Sequence, residues 1–129
     1  MKIEHVALWT KHLEILKNFY VEFFGGTPNN KYRNPRTGFE SYFLTFDSGA
    51  RLELMDMPSV AINPNDPEKQ YTGYVHLAFS VSSREQVDAL TKRLSEQGYP
   101  VVSQPRQTGD GYYESCVLDP DGNRVEITT

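Results

Sequence analysis

The sequence is short of cysteine, of clustered positive charge and of long apolar runs, and each shortage removes a class of protein. Cys116 is the only cysteine among 129 residues, so no intrachain disulfide can form. A reducing compartment, the cytoplasm, is the expectation. The 13 Lys and Arg are scattered and outnumbered by 17 Asp and Glu, giving a net charge of −4. Binding to a nucleic-acid backbone needs clustered cations, so that partner is not expected. No apolar stretch approaches the roughly 18 residues of a membrane span. The opening Lys2-Ile3-Glu4-His5-Val6-Ala7-Leu8 reads as a strand and not as the apolar core of a signal peptide. What remains is one soluble domain's worth of chain, with eight Tyr, seven Phe and one Trp to build a core.

What the sequence does contain is a phrase said twice. Gly49-Ala50-Arg51-Leu52-Glu53-Leu54 in the middle is echoed by Gly122-Asn123-Arg124-Val125-Glu126-Ile127 near the end. Upstream of each copy stands a second echo, His5-Val6-Ala7-Leu8 and His76-Leu77-Ala78-Phe79, 48 and 50 residues before the respective glutamate. Around these landmarks the chain repeats an order of elements. Residues 2–10 alternate with period two, as a strand does. Residues 13–24 switch to helical spacing, with Leu13, Leu16, Phe19 or Tyr20, and Phe23 on one stripe and Gly25-Gly26 as the stop. Residues 27–38 read as a loop with at most one short strand. Residues 40–47 and 50–57 are strands about the Ser48-Gly49 turn.

Residues 58–72, rich in proline, asparagine and acid, read as a connector or lid. The second half then gives a strand at 73–81 and a capping box Ser82-x-x-Glu85 opening a helix over 84–97 that Gly98 ends. A strand over 99–107, bent or at an edge because of Pro100 and Pro105, follows. Strands over 111–119 and 123–129 flank the turn Asp119-Pro120-Asp121-Gly122. The prediction is an α+β fold: two tandem βαβββ modules, about 1–57 and 73–129, forming a curved mixed sheet around a trough within one domain of residues 1–129.

Strand parity bears on function. Val6 and Leu8, Leu52 and Leu54, Leu77 and Phe79, and Val125 and Ile127 flank the four polar residues, and are expected to face the helix of their own half. His5, Glu53, His76 and Glu126 then point from the opposite face. Alone, a strand histidine is a hydrogen-bonded polar residue more often than a ligand, and a strand glutamate is usually solvated. Two pairs at matching repeat positions favour a metal site. Imidazole and carboxylate donors suit Ni, Co, Mn, Fe or Zn better than Ca, and four ligands leave two positions open on a six-coordinate ion. Arg51 and Arg124 share the glutamates' face, to pair with substrate or to position the ligand carboxylates. His12 is expected to be a surface or capping residue, and Cys116 to be packing.

These residues resemble the vicinal oxygen chelate superfamily, the glyoxalase/bleomycin resistance/dioxygenase fold, over essentially the whole chain. The resemblance lies in His5-x-Ala7, Phe19-Tyr20 with Phe23-Phe24-Gly25, Arg51-Leu52-Glu53-Leu54, His76-Leu77-Ala78-Phe79, and Asp119-Pro120-Asp121-Gly122-Asn123-Arg124-Val125-Glu126. His5, Glu53, His76 and Glu126 look like the metal quartet of bacterial glyoxalase I enzymes. That similarity implies a metal-dependent lyase resembling lactoylglutathione lyase, with about one divalent metal per active site. Its substrate would be a vicinal-dioxygen compound such as a methylglyoxal–thiol hemithioacetal.

The reaction implied runs through a metal-stabilised enediolate, with Glu126 or Glu53 as the base. The chain departs from glutathione-using members four residues beyond two of the ligands. They commonly carry Arg and Asn where this sequence has Trp9 and Met57, which cannot pair with a carboxylate. Trp9, Met57, Arg51, Arg124 and Tyr74 are the expected substrate contacts. The alternative within the superfamily is a non-catalytic binder of a small, antibiotic-like molecule, with Trp9, Tyr42, Phe43, Tyr74, Tyr112 and Tyr113 as stacking surface. Fe(II) ring-cleaving oxygenases, which use three ligands, resemble it less. Open sheet edges in each half predict a homodimer.

Overall fold

A computed structural model describes residues 1–64 and 66–129, in two compact units, Met1–Pro64 and Asn65–Thr129. Asn65, inside the expected connector, lies outside the described residues. The first unit runs β1 (His5–Trp9), α1 (Leu13–Phe24), β2 (Thr27–Pro28), β3 (Tyr32–Arg33), β4 (Glu40–Thr45) and β5 (Arg51–Asp56). The second runs β6 (His76–Ser80), α2 (Arg84–Glu96), β7 (Val101–Gln107), β8 (Tyr113–Leu118) and β9 (Arg124–Thr128). Each unit has one mixed sheet, ordered β1-β5-β4-β2 with β3 also on β4, and β6-β9-β8-β7. The architecture is the expected α+β repeat of βαβββ, with one addition. The stretch read as a loop with at most one strand holds two, β2 and β3, of two residues each, both antiparallel to β4.

Helix α1 forms where the apolar stripe predicts it. Leu13, Leu16, Phe19, Tyr20 and Phe23 are all buried, against β5, β4 and β2. Gly25 adopts φ +70°, the left-handed conformation that lets its N–H reach back to the Tyr20 carbonyl and close the helix. At the other end His12 occupies the N-cap position, but its side chain makes no capping bond. Its backbone N–H donates instead to the Thr10 hydroxyl at 2.8 Å.

Helix α2 corrects the expected capping box by one residue. Ser83 is the N-cap and its hydroxyl accepts from the Gln86 N–H. The Gln86 side chain reaches back to the Ser82 N–H and hydroxyl, both at 2.9 Å. Gln86 thus answers Ser83 through its backbone N–H and the residue before the cap through its side chain. On the buried side, the Thr91 hydroxyl meets the Ser115 hydroxyl at 2.6 Å and donates to the Val87 carbonyl, so that polar pair is satisfied where it is buried.

The flanking hydrophobics differ in how far they are covered. Leu52, Leu54, Val125 and Ile127 are at most 3% exposed. Val6 is 38% exposed, and Leu8, Leu77 and Phe79 are only part-buried. The reason is sheet order: β1 and β6 are edge strands, whereas α1 packs on β5, β4 and β2, and α2 on β8, β7 and β9. All eight lie on the expected face, since Val6, Leu8, Leu77 and Phe79 are in register with Leu52, Leu54, Val125 and Ile127; the four on the edge strands are only less covered.

Candidate metal centre

The two units use the same register. The first strand of each runs parallel to the last, with His5 opposite Arg51 and Ala7 opposite Glu53. In the second unit His76 lies opposite Arg124 and Ala78 opposite Glu126. Each histidine is therefore a diagonal neighbour of its glutamate, on the sheet face that period two assigns to both. The Nε2 of His5 stands 3.9 Å from an Oε of Glu53, and the Nε2 of His76 stands 3.5 Å from an Oε of Glu126. Local turns hold these strands in place. Gly49 and Gly122 take φ +87° and +81°. The buried Asp119 carboxylate accepts from the backbone N–H groups of Asp121 and Asn123 and from the Asn123 side chain, all at 2.9 Å. That Asx-type network fixes the Asp-Pro-Asp-Gly turn from which Arg124 and Glu126 are delivered.

Around the first pair the polar groups interlock. The Nδ1 of His5 meets the Glu4 carboxylate at 2.5 Å, leaving Nε2 as the nitrogen toward Glu53. The other oxygen of Glu4 accepts from the Arg51 guanidinium, which lies over the Phe43 ring at 4.2 Å. Phe43 also meets the His5 ring edge-to-face at 5.5 Å. Phe43 stands directly across the ladder from Glu53.

The second pair has different company. Glu126 faces Cys116 across the β8–β9 ladder. Burial raises the Glu126 carboxyl above the ordinary value; His76 opposes that, and the hydrogen-bonded Glu114 carboxyl adds to it. Glu114 in turn pairs with Arg106 at 3.4 Å. Burial also raises the Cys116 thiol, the nearby Arg124 pulling the other way.

The arginines do not position the glutamates, which corrects one expected role. Arg51 takes Glu4 as its carboxylate, and Arg124 donates to the Pro67 carbonyl at 2.7 Å, with the Cys116 sulfur 4.0 Å away. Of the expected substrate contacts, Trp9 is exposed and meets Phe39 edge-to-face at 6.0 Å. Met57 is part-buried, its carbonyl accepting from Lys11. Tyr74 is fully exposed, two residues before His76. The sequence reading passed over Glu4, Phe43 as a ring partner of His5, and the Glu114–Arg106 pair. The signal for Glu4 was its adjacency to His5; for Glu114 it was a carboxylate two residues before Cys116, on the strand beside β9.

Among the described residues no three His, Cys, Asp or Glu side chains gather as a metal-binding group. Each unit by itself offers a pair. The pair's chemistry nevertheless fits a divalent ion. Two donors each about 2.0–2.2 Å from one ion lie no more than about 4.4 Å apart. The separations of 3.9 and 3.5 Å fall inside that reach, yet beyond a good direct hydrogen bond of at most about 3.2 Å.

A register shared by two βαβββ units, with a histidine and a glutamate in each, defines a glyoxalase-type fold. The chain belongs to the Glyoxalase/Bleomycin resistance protein/Dioxygenase superfamily, whose sequence model matches residues 2–127. It is 28% identical over 134 residues to the uncharacterized protein YqjT of Bacillus subtilis (strain 168), covering 97% of this chain and 96% of that one. A glyoxalase family protein from Enterococcus faecalis superposes with a TM-score of 0.77 at 29% identity, over 99% of this chain and 97% of that chain. Glyoxalase I from Zea mays gives a TM-score of 0.78 at 22% identity over 98% of this chain. This chain spans 44% of the maize protein, and at that identity the likeness is one of fold.

Proposed function

We propose that the protein is a divalent-metal-dependent lyase or isomerase of the glyoxalase I type, with His5, Glu53, His76 and Glu126 as the metal ligands. The observation that carries this is the identical parallel register of the two units, which turns one imidazole nitrogen toward one carboxylate in each. Each pair is half of a four-ligand set. The complement comes from the other unit of the chain or from a second copy in a homodimer. A bound divalent ion supplies Lewis acidity that stabilises negative charge on two vicinal substrate oxygens.

The chain's own groups do the rest. Glu126 is the preferred base, because burial and Glu114 raise its affinity for a proton toward the range where transfer is efficient. It takes the C–H proton of a hemithioacetal and returns it to the adjacent carbon, while the hydroxyl proton moves between the two oxygens. His5, His76 and Glu53 stay in place as fixed ligands. Trp9 and Met57, four residues beyond His5 and Glu53, offer no cation or amide to a glutathione carboxylate. Glutathione is therefore not singled out as the thiol, and a different thiol adduct fits the residues present. Trp9 and Tyr74 offer it apolar surface. We assign the protein to the cytoplasm on its single cysteine, and read it as a single domain of two modules.

Elemental analysis of natively purified protein, followed by methylglyoxal turnover with a panel of thiols, tests the reading. About one equivalent of Ni, Co, Mn, Fe or Zn per site and thiol-dependent loss of hemithioacetal are expected. A protein that carries no metal and takes none up on dialysis, while binding aromatic antibiotics, belongs to the non-catalytic branch of the superfamily instead.

A further inference from the structure

We infer that Glu4 is a positioning residue for His5, holding the ring in the Nδ1–H tautomer so that Nε2 alone is presented to the metal, and that only the first half-site is fixed in this way. The inference rests on the metal reading above and deepens it. Three contacts carry it. The Glu4 carboxylate receives His5 Nδ1 on one oxygen and the Arg51 guanidinium on the other. Its backbone carbonyl accepts the Arg51 N–H at 3.0 Å, one residue beyond the β1–β5 ladder, so the main chain of Glu4 is tied as well as its side chain. Phe43 touches both partners, edge-on to the His5 ring and beneath the Arg51 guanidinium.

A neutral imidazole has one nitrogen that donates and one that accepts or ligates. A carboxylate on Nδ1 therefore selects the tautomer whose Nε2 lone pair is free, and fixes the ring plane. Among the described residues the second unit shows none of these contacts. The residue before His76 is Val75, the residue across the ladder from Glu126 is Cys116, and Arg124 spends its guanidinium on the Pro67 carbonyl. The two half-sites thus share a register and differ in stiffness. His5 is held before metal arrives, whereas His76 has no carboxylate beside it in sequence to select its tautomer.

The experiment compares wild-type protein with Glu4→Ala and Glu4→Gln. Glu4 is on the surface, so both variants are expected to fold. Nitrogen-15 shifts of the metal-free proteins at a pH where imidazole is neutral report the tautomer. Wild type should show protonated Nδ1 and unprotonated Nε2 at His5. Glu4→Ala should show a tautomer mixture at His5 and no change at His76. Titration with Co(II) or Ni(II) by calorimetry should then find affinity lowered about tenfold to a hundredfold in Glu4→Ala. Glu4→Gln, whose amide oxygen still accepts from Nδ1, should recover part of it. Metal bound equally well by wild type and Glu4→Ala, or an unchanged His5 tautomer, overturns this inference and leaves the metal reading standing. Failure of wild type itself to bind metal removes both.

Discussion

Cys116 stands across the β8–β9 ladder from Glu126, at the place Phe43 holds opposite Glu53 on the β4–β5 ladder. A thiol has thus replaced a ring at the equivalent position of the second unit. Burial disfavours its thiolate, the reactive form. Native protein should alkylate with iodoacetamide at pH 7 more slowly than a free thiol of ordinary pKa near 8.5, and at that ordinary rate once denaturant unfolds it. Native labelling as fast as a small-molecule thiol would contradict the burial argument.

On the proposed reading, Glu126→Gln keeps an oxygen donor for a metal but abolishes the base. Turnover should fall about 10²- to 10⁴-fold, while bound metal falls far less. Glu53→Gln makes the same change at a ligand that is not the base, and should keep more of the turnover per bound metal than Glu126→Gln. Steady-state kinetics beside metal content separate the two. If Glu53→Gln is the variant that keeps its metal and loses turnover, the base is Glu53.

Glu14 sits at the start of α1, bonded to Lys17 at 2.9 Å, Lys31 at 3.0 Å and the Tyr42 hydroxyl at 3.0 Å. Those contacts, Lys17 foremost, lower its carboxyl from 4.5 to about 2. A depressed folded value means that the contribution to stability is complete above about pH 4.5 and disappears as pH falls to about 2. The carboxylate is half exposed, so water screens the network and the contribution should be less than about 1 kcal/mol. Glu14→Gln should melt slightly below wild type at neutral pH, and the gap should close between pH 4.5 and 2. A gap that widens in acid would refute the assignment.

Ser83→Ala removes the side chain that accepts at the N-terminus of α2 and should cost about 1 kcal/mol. Ser82→Ala keeps the backbone N–H that Gln86 accepts from and should cost less. Urea unfolding of the two variants decides which serine is the cap.

That one-residue shift illustrates what was readable in the sequence and what was not. Two serines precede α2, each with a polar residue three positions on, Glu85 or Gln86; the pattern alone cannot choose between them. Helix α1 was fully legible, because a five-residue apolar stripe and a left-handed glycine leave no competing arrangement. The face shared by each histidine and its glutamate was legible too, since period two fixes it. Strands β2 and β3 were not, because two residues are too few to display a period.

The exposure of Val6 was hidden for a different reason. Alternation says which way a side chain points, but only sheet order says whether anything lies there. Arg51 and Arg124 show the remaining limit. Long flexible side chains on the correct face reach several acceptors, and Glu4 and the Pro67 carbonyl took them.

The parallel pairing of each unit's first strand with its last also governs when the half-sites come into being. His5 precedes Glu53 by 48 residues and His76 precedes Glu126 by 50. Closing loops of that length costs entropy before any ladder bond rewards it, which makes such pairings slow. On the ribosome His5 must therefore wait for most of its unit to be synthesised before its glutamate exists. On the proposed reading, a divalent ion can find the first His–Glu pair only after residue 53 has been made and β1 has met β5.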